Sequence, residues 1–308
     1  MADTEPTGRR EDDGSVFAGL PQMAQVVGQF VAPATLLAGL LFYWGFFHAR
    51  GFCGYFGIDS AVLGLSTTDY VMRSADGLFV PLAVCAIATL AVLWGWVALP
   101  SSVRQGRWPR WFLPVVVVVG GLLVLNGLSR LWFRTWINRP LGVAPSCVII
   151  GLLLMWGVVV SRRRRLATES ATTVRPTAPV EWGLIFLLVG GSFFWGATDY
   201  SLAVGRGRAI EFEKETLRRA PGLTVYTEKP LELNVAGVRR IACTDASAAY
   251  RYRYDGLVLV MTAGDNLVAV PRSWTHDQGT AIVLPHTGPG AVRLEFTAPY
   301  ARTSPAVC

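Results

Sequence analysis

Five mostly apolar stretches, at 26–47, 78–99, 111–128, 143–160 and 180–197, interrupt this 308-residue chain, and Glu181 at one end is the only acid, base or histidine in them. A helix needs about 20 apolar residues to cross roughly 30 Å of hydrocarbon, and a charge inside it is costly. The pattern therefore predicts five transmembrane helices. Composition agrees, with 52% of residues hydrophobic and 16% charged, where an ordinary soluble domain carries about 25% charge. The last three stretches are short. Trp108, Trp111, Trp132, Trp136 and Trp182 stand at or near their ends, where aromatic rings favour the headgroup layer.

Arginine bias in the short loops sets the expected orientation. With the amino terminus in the cytoplasm, inside segments hold ten arginines and outside loops five. The run Arg162, Arg163, Arg164 and Arg165 follows the fourth stretch directly. It reads as a stop-transfer and orientation signal, with contact to anionic lipid headgroups as the functional alternative. The first stretch reads as a retained anchor, because its leader is acidic and its apolar run exceeds that of a signal peptide. Net charge is +7, but the excess lies in the apolar part and its loops, so no nucleic-acid partner is expected. The division is a disordered cytoplasmic tail at 1–22, a five-helix membrane domain at 23–198, and an extracytoplasmic domain at 199–308.

That last domain reads as α+β, mostly antiparallel β. Residues 199–220 form a juxtamembrane helix, kinked near Gly205 and Gly207 and stopped by Pro221-Gly222. Strands are expected at 223–227, 238–244, 249–254, 257–262, 267–271, 281–284 and 292–297. Asp255-Gly256 between two strand-like runs is a hairpin signal, so 249–271 reads as a three-stranded meander. Tyr250, Tyr252 and Tyr254 share one face, a half-buried sheet surface in preference to a binding row.

The outside loop at 50–77 mixes aromatic, glycine and acidic residues, and Tyr55, Asp59 and Asp69 are its candidate interaction residues. Ser66 and Asp69 fit a helix-capping pair. The competing reading, a cation held by Asp59, Asp69 and Asp76, lacks the dense spacing of a calcium loop. No metal or cofactor is expected. Nucleophile elbows, zinc-protease pairs and phosphate-binding glycine loops are missing from the sequence. The segment from Trp274 to Asp277 places His276 beside an acid but reads as a turn. Gln29 and Asn126 are the strongly polar residues inside the spans, suited to hydrogen bonds between helices, with close packing at Ala34/Ala38, Gly120/Gly121 and Gly190/Gly191. Outside, Cys243 and Cys308 are the candidate disulfide, closing a loop of some 65 residues for about 4 kcal/mol. Cys53 is left free or pairs across chains.

The run Tyr55-Phe-Gly-Ile-Asp59, with Leu63-Gly-Leu-Ser66, Asp69-Tyr70 and Arg73-Ser74, resembles a pattern in multi-pass membrane proteins of actinobacteria that have no assigned function. Residues 224–227 and 250–256 are similar to the extracytoplasmic ends of the same proteins. The resemblance implies no activity and supplies no catalytic residue. The expected function is a non-enzymatic protein of the plasma membrane that presents an outside binding, sensing or interaction domain. Its partners are the lipid bilayer and an envelope protein or further copies of itself. The alternatives are an oligomeric channel or passive transporter, and an enzyme acting on lipid through Asp59 and Asp69.

Overall fold

The computed structural model describes residues 20–98, 111–133, 135–169, 178–245, 248–287 and 292–298. Five helices come first, α1 (Leu20–Tyr55), α2 (Thr67–Ala98), α3 (Phe112–Ser129), α4 (Val143–Glu169) and α5 (Ala178–Glu211). Six strands follow, β1 (Gly222–Thr227), β2 (Arg239–Ala242), β3 (Tyr252–Ala263), β4 (Asn266–Pro271), β5 (Ile282–Pro285) and β6 (Arg293–Thr297). The helix-then-antiparallel-sheet layout matches the sequence reading.

The span count is more restricted than the five expected. Among the described residues, three helices are long and apolar enough to cross a membrane, and a fourth qualifies if the two halves of α2 count as one. Those halves meet at a 45° bend beside Pro81, which has no N–H for the carbonyl four residues back. The expected first span lies within α1, and the side chain of Gln29 in it lies outside the described residues. Leu82, Ile87, Trp94, Leu122, Phe186 and Leu187 are all exposed. Apolar patches of that extent mark surfaces that contact a membrane or another protein.

Helices meet where glycine removes a side chain. A Cβ on Gly205 of α5 would stand 2.1 Å from the His48 carbonyl oxygen of α1, and one on Gly51 of α1 would stand 2.3 Å from the Leu202 carbonyl oxygen of α5. These two helices therefore touch backbone to backbone. Tyr43 pairs with Thr198 at 2.6 Å, and the Ser201 hydroxyl donates to the Trp44 carbonyl at 2.6 Å. From Tyr43–Thr198 through His48–Gly205 to Tyr55–Glu213 the partner numbers rise over the length of the contact, so the helices run parallel. Gly205 does not break α5, as the sequence suggested; it is a contact point. Between α3 and α4 the contact glycines are Gly120, Gly127 and Gly151, whereas Gly121, Gly190 and Gly191 face open space. Asn126 reaches across to the Cys147 sulfur at 3.6 Å.

Both α1 and α5 continue past their apolar stretches. Gly57, at φ +76°, closes α1, and the Ile58 amide turns back to the Cys53 carbonyl at 3.1 Å, a left-handed terminus that favours glycine. After α5 a wide turn spans Phe212–Thr216, in which the Leu217 amide donates five residues back to Phe212 at 2.7 Å. Arg272 donates to the carbonyls of Leu217, Arg218 and Ala220 at 3.3, 2.8 and 2.8 Å, satisfying oxygens that the helix end leaves open.

Strand order is β5-β4-β3-β1-β6, with β2 also paired to β3. The expected hairpin at Asp255-Gly256 does not form. Residues 252–263 are one long strand, which pairs with β1 and β2 over its first half and β4 over its second. Gly256 sits at φ +95°, and a Cβ there would stand 2.2 Å from the Gly237 carbonyl oxygen, so the glycine serves an irregularity under a crossing loop. The other turn of the expected meander, Gly264-Asp265-Asn266, does form, between β3 and β4, with Gly264 at φ +53°. Both sheet faces are buried. Leu257, Leu267 and Ala269 join Tyr254 on one side beneath Leu231, Leu233 and Val235. Val258 and Val270 pack on the other side against Tyr55, Phe56 and Ala209 of the helices. Strands covered on both faces read as near-continuous apolar runs. Two of the three tyrosines join the core: Tyr252 packs against it, and Tyr254 is fully buried, its hydroxyl accepting from the Leu231 amide at 2.8 Å, while Tyr250 precedes β3 half-buried beside Tyr226.

The glycine contacts generate a stability test. Gly205→Ala is expected to destabilise the folded protein by about 2 kcal/mol by forcing backbones apart, and Gly191→Ala to change stability by no more than about 0.5 kcal/mol. Thermal melting of the full chain in detergent distinguishes them, and equal midpoints would discard the contact.

Candidate functional site

The acids of the 50–77 loop are engaged in local structure. Asp59 accepts from the Ala61 amide at 3.0 Å, capping the short helix Ser60–Leu63. Ser66 and Asp69 form the reciprocal cap of α2: the Ser66 hydroxyl accepts from the Asp69 amide at 3.2 Å, and the Asp69 carboxylate accepts from the Ser66 amide at 2.9 Å and hydroxyl at 2.7 Å. Those bonds hold the Asp69 carboxyl below its usual range. Asp76 is elsewhere, gripped by Arg208 of α5 at 2.7 and 2.5 Å, with buried His48 at 3.7 Å. Arg208 also donates to Glu211 at 2.8 Å. Three carboxylates with three separate duties do not make a cation site, and no cluster of metal-ligating side chains occurs among the described residues.

Tyr55 has the richest surroundings. It ends α1, and its hydroxyl donates to the Glu213 carboxylate in the turn after α5. Its ring stacks on His276 at 4.3 Å between centroids and 10° between planes. His276 Nδ1 stands 3.1 Å from the Tyr55 carbonyl oxygen, and the His276 amide donates to Glu213 at 3.3 Å. Trp274 packs behind, 4.8 Å from the Phe56 ring. His276 is thus more than the turn residue expected; it joins the loop after β4 to both protruding helices. Its role was not readable locally, because its partners lie 63 and 221 positions away. A buried tryptophan in an otherwise polar turn was the available signal.

Beside this junction lies an open cleft of about 590 Å³, lined by Arg50, Gly51, Gly54, Tyr55, Gly57, Ile58, Asp59, Leu202, Arg206 and His276. Tyr55 and Asp59 therefore meet in one place, while Asp69 is not among the lining residues. Arg50 and Arg206 are exposed. Unlike Arg208, neither has an ion pair among the described residues.

Arg163 binds Glu181 at 2.6 Å, linking α4 to the start of α5, and Arg162 is exposed; the side chains of Arg164 and Arg165 lie outside the described residues. At the opposite ends, Arg130 binds Asp199 at 2.7 Å. Cys243 is disulfide-bonded, Cys53, Cys85 and Cys147 are free, and Cys308 lies outside the described residues. Cys53 is buried and approaches the Met261 sulfur at 3.8 Å; burial pushes its thiol up to about 11, which makes it a poor nucleophile. No protein family, curated protein or solved structure matches the chain.

Burial, then the bond and negative charge of Glu213, push the Tyr55 phenol up to about 12. A group whose ionisation is suppressed by folding stabilises the native state fully below its unfolded value, near 10, and loses that contribution as pH rises through 12. Tyr55→Phe should therefore flatten the fall in melting temperature between pH 10 and 12. An identical alkaline slope in wild type and variant would show that the phenol is not held this way.

Proposed function

We propose that this chain is a five-span integral protein of the plasma membrane, amino terminus inside, whose C-terminal sheet domain stands outside as a non-enzymatic binding or sensing platform. The observation carrying the proposal is the parallel contact of α1 and α5. Two helices separated by three others run the same way when each helix crosses in turn. Charge layers support the same alternation. Arg130 at the end of α3 pairs with Asp199 of α5, a consistent outer edge, and Arg163 near the end of α4 pairs with Glu181 at the start of α5, a consistent inner edge. Between these pairs the helices expose apolar side chains, as lipid contact requires.

The platform reading follows from how the sheet is seated. Its lower face shares a core with Tyr55, Phe56 and Ala209, so an event at the sheet acts directly on the first and last spans. Binding is favoured over catalysis because the nearby acids are already committed, Asp59 to a cap and Glu213 to Tyr55 and His276. Closure of the domain by Cys243 and Cys308, and kinship with the actinobacterial multi-pass proteins, belong to the same proposal.

Cysteines introduced by Asp277→Cys, in the exposed turn after β4, and by Arg162→Cys should label differently in intact cells. A membrane-impermeant maleimide should react with the first and reach the second only after lysis. The reverse pattern, or labelling of both, would overturn the orientation.

A further inference from the structure

The cleft beside Tyr55 is lined by two arginines and by one carboxylate, Asp59, which caps the short helix through the Ala61 amide. Arg50 and Arg206 come from two different helices and line the same cavity, and both lack carboxylate partners among the described residues while neighbouring Arg208 has two. The walls leave room for an occupant: a Cβ on Gly54 meets nothing within 4 Å. Ile58 and Leu202 add apolar wall, and the Tyr55–His276 stack closes one side. Guanidinium groups supply the forked donors that match phosphate oxygens.

Height above the membrane narrows the source. Taking the Arg130–Asp199 pair as the outer edge, Arg206 stands seven residues further along α5, about 10 Å at the helical rise. Gly205 contacts His48 and Leu202 contacts Gly51, which brackets Arg50 between the levels of residues 201 and 207 of α5. The headgroup layer of one leaflet is roughly 5–8 Å thick. Side chains on a helix lean toward its amino terminus, and on both α1 and α5 that direction is toward the bilayer. Two long arginine side chains therefore reach the depth of lipid phosphates.

Resting on the topology proposed above, we infer that the Arg50–Arg206 cleft binds a phosphate-bearing anion, with an outer-leaflet phospholipid headgroup as its source. The test uses the full-length protein in detergent and native mass spectrometry, titrating dioctanoyl phosphatidylglycerol, inorganic phosphate and dioctanoylglycerol in separate arms. Phosphatidylglycerol should bind and dioctanoylglycerol should not. Arg50→Gln and Arg206→Gln should each weaken binding about tenfold, the loss of one charge-assisted contact, and Arg50→Lys should weaken it less. Gly54→Leu, which fills the cleft and leaves both charges, should also reduce binding, whereas Arg239→Gln on the exposed edge of the sheet should not. Melting midpoints near wild type confirm that the variants are folded. Arginine-dependent binding of inorganic phosphate without the lipid would keep the anion site and assign it a soluble source. Binding that is absent, equal for dioctanoylglycerol, or unchanged in the double arginine variant and in Gly54→Leu would overturn the site. Because this readout needs no bilayer orientation, its failure is separable from a reversed labelling pattern.

Discussion

Backbone contact between α1 and α5 is the constraint on which the junction of helices and sheet depends. Gly51 and Gly205 let the two helices touch where any side chain would hold them apart. The contact fixes their register. With it fixed, Tyr55 arrives opposite Glu213, Ala209 is fully buried, and Arg50 and Arg206 come to line one cleft. At the crossing Ser201 meets the Trp44 carbonyl, while the Trp44 indole and the His48 ring are buried without a hydrogen-bond partner among the described residues.

The sheet completes what the helices begin. Its strands alternate apolar residues onto two cores, one closed by the loop carrying Leu231, Leu233 and Val235, the other by the ends of α1 and α5. The second core is assembled from segments at both ends of the described chain. A boundary drawn at 199 therefore separates lengths of sequence, whereas folding joins Cys53, Leu63, Met261 and Val268 into one cluster. The bond network of Asp76, Arg208 and Glu211 ties α2 to the same assembly.

Legibility followed range. The Ser66–Asp69 cap involves residues three apart, and its chemistry is visible in the sequence. Strands β1, β4, β5 and β6 carry their pattern within themselves and were found within a residue or two. Asp255-Gly256 misled because turn chemistry and bulge chemistry both use glycine; the deciding neighbour, Gly237, lies outside any local window. The helix contacts were legible in kind and inexact in position: Gly120 faces α4 but adjacent Gly121 does not, a difference of one step around a helix. The junction of Tyr55, Glu213 and His276, and the cleft beside it, arise from tertiary contact alone. Composition announces long apolar helices; it says nothing about which arginines will be left without carboxylates.

The separation of Tyr55 from His276, 221 positions, also orders events during synthesis. Translation at about 5–20 residues per second puts roughly 10–45 s between the emergence of the end of α1 and that of its stacking partner. During that interval Cys53, Tyr55 and Phe56 have no sheet to cover them. Four more helices must be placed before the cover exists, so the end of the first helix waits as an uncovered aromatic surface. The sheet thereby acts as a check on the first helix, since only a chain whose intervening helices have packed correctly can bring the two together.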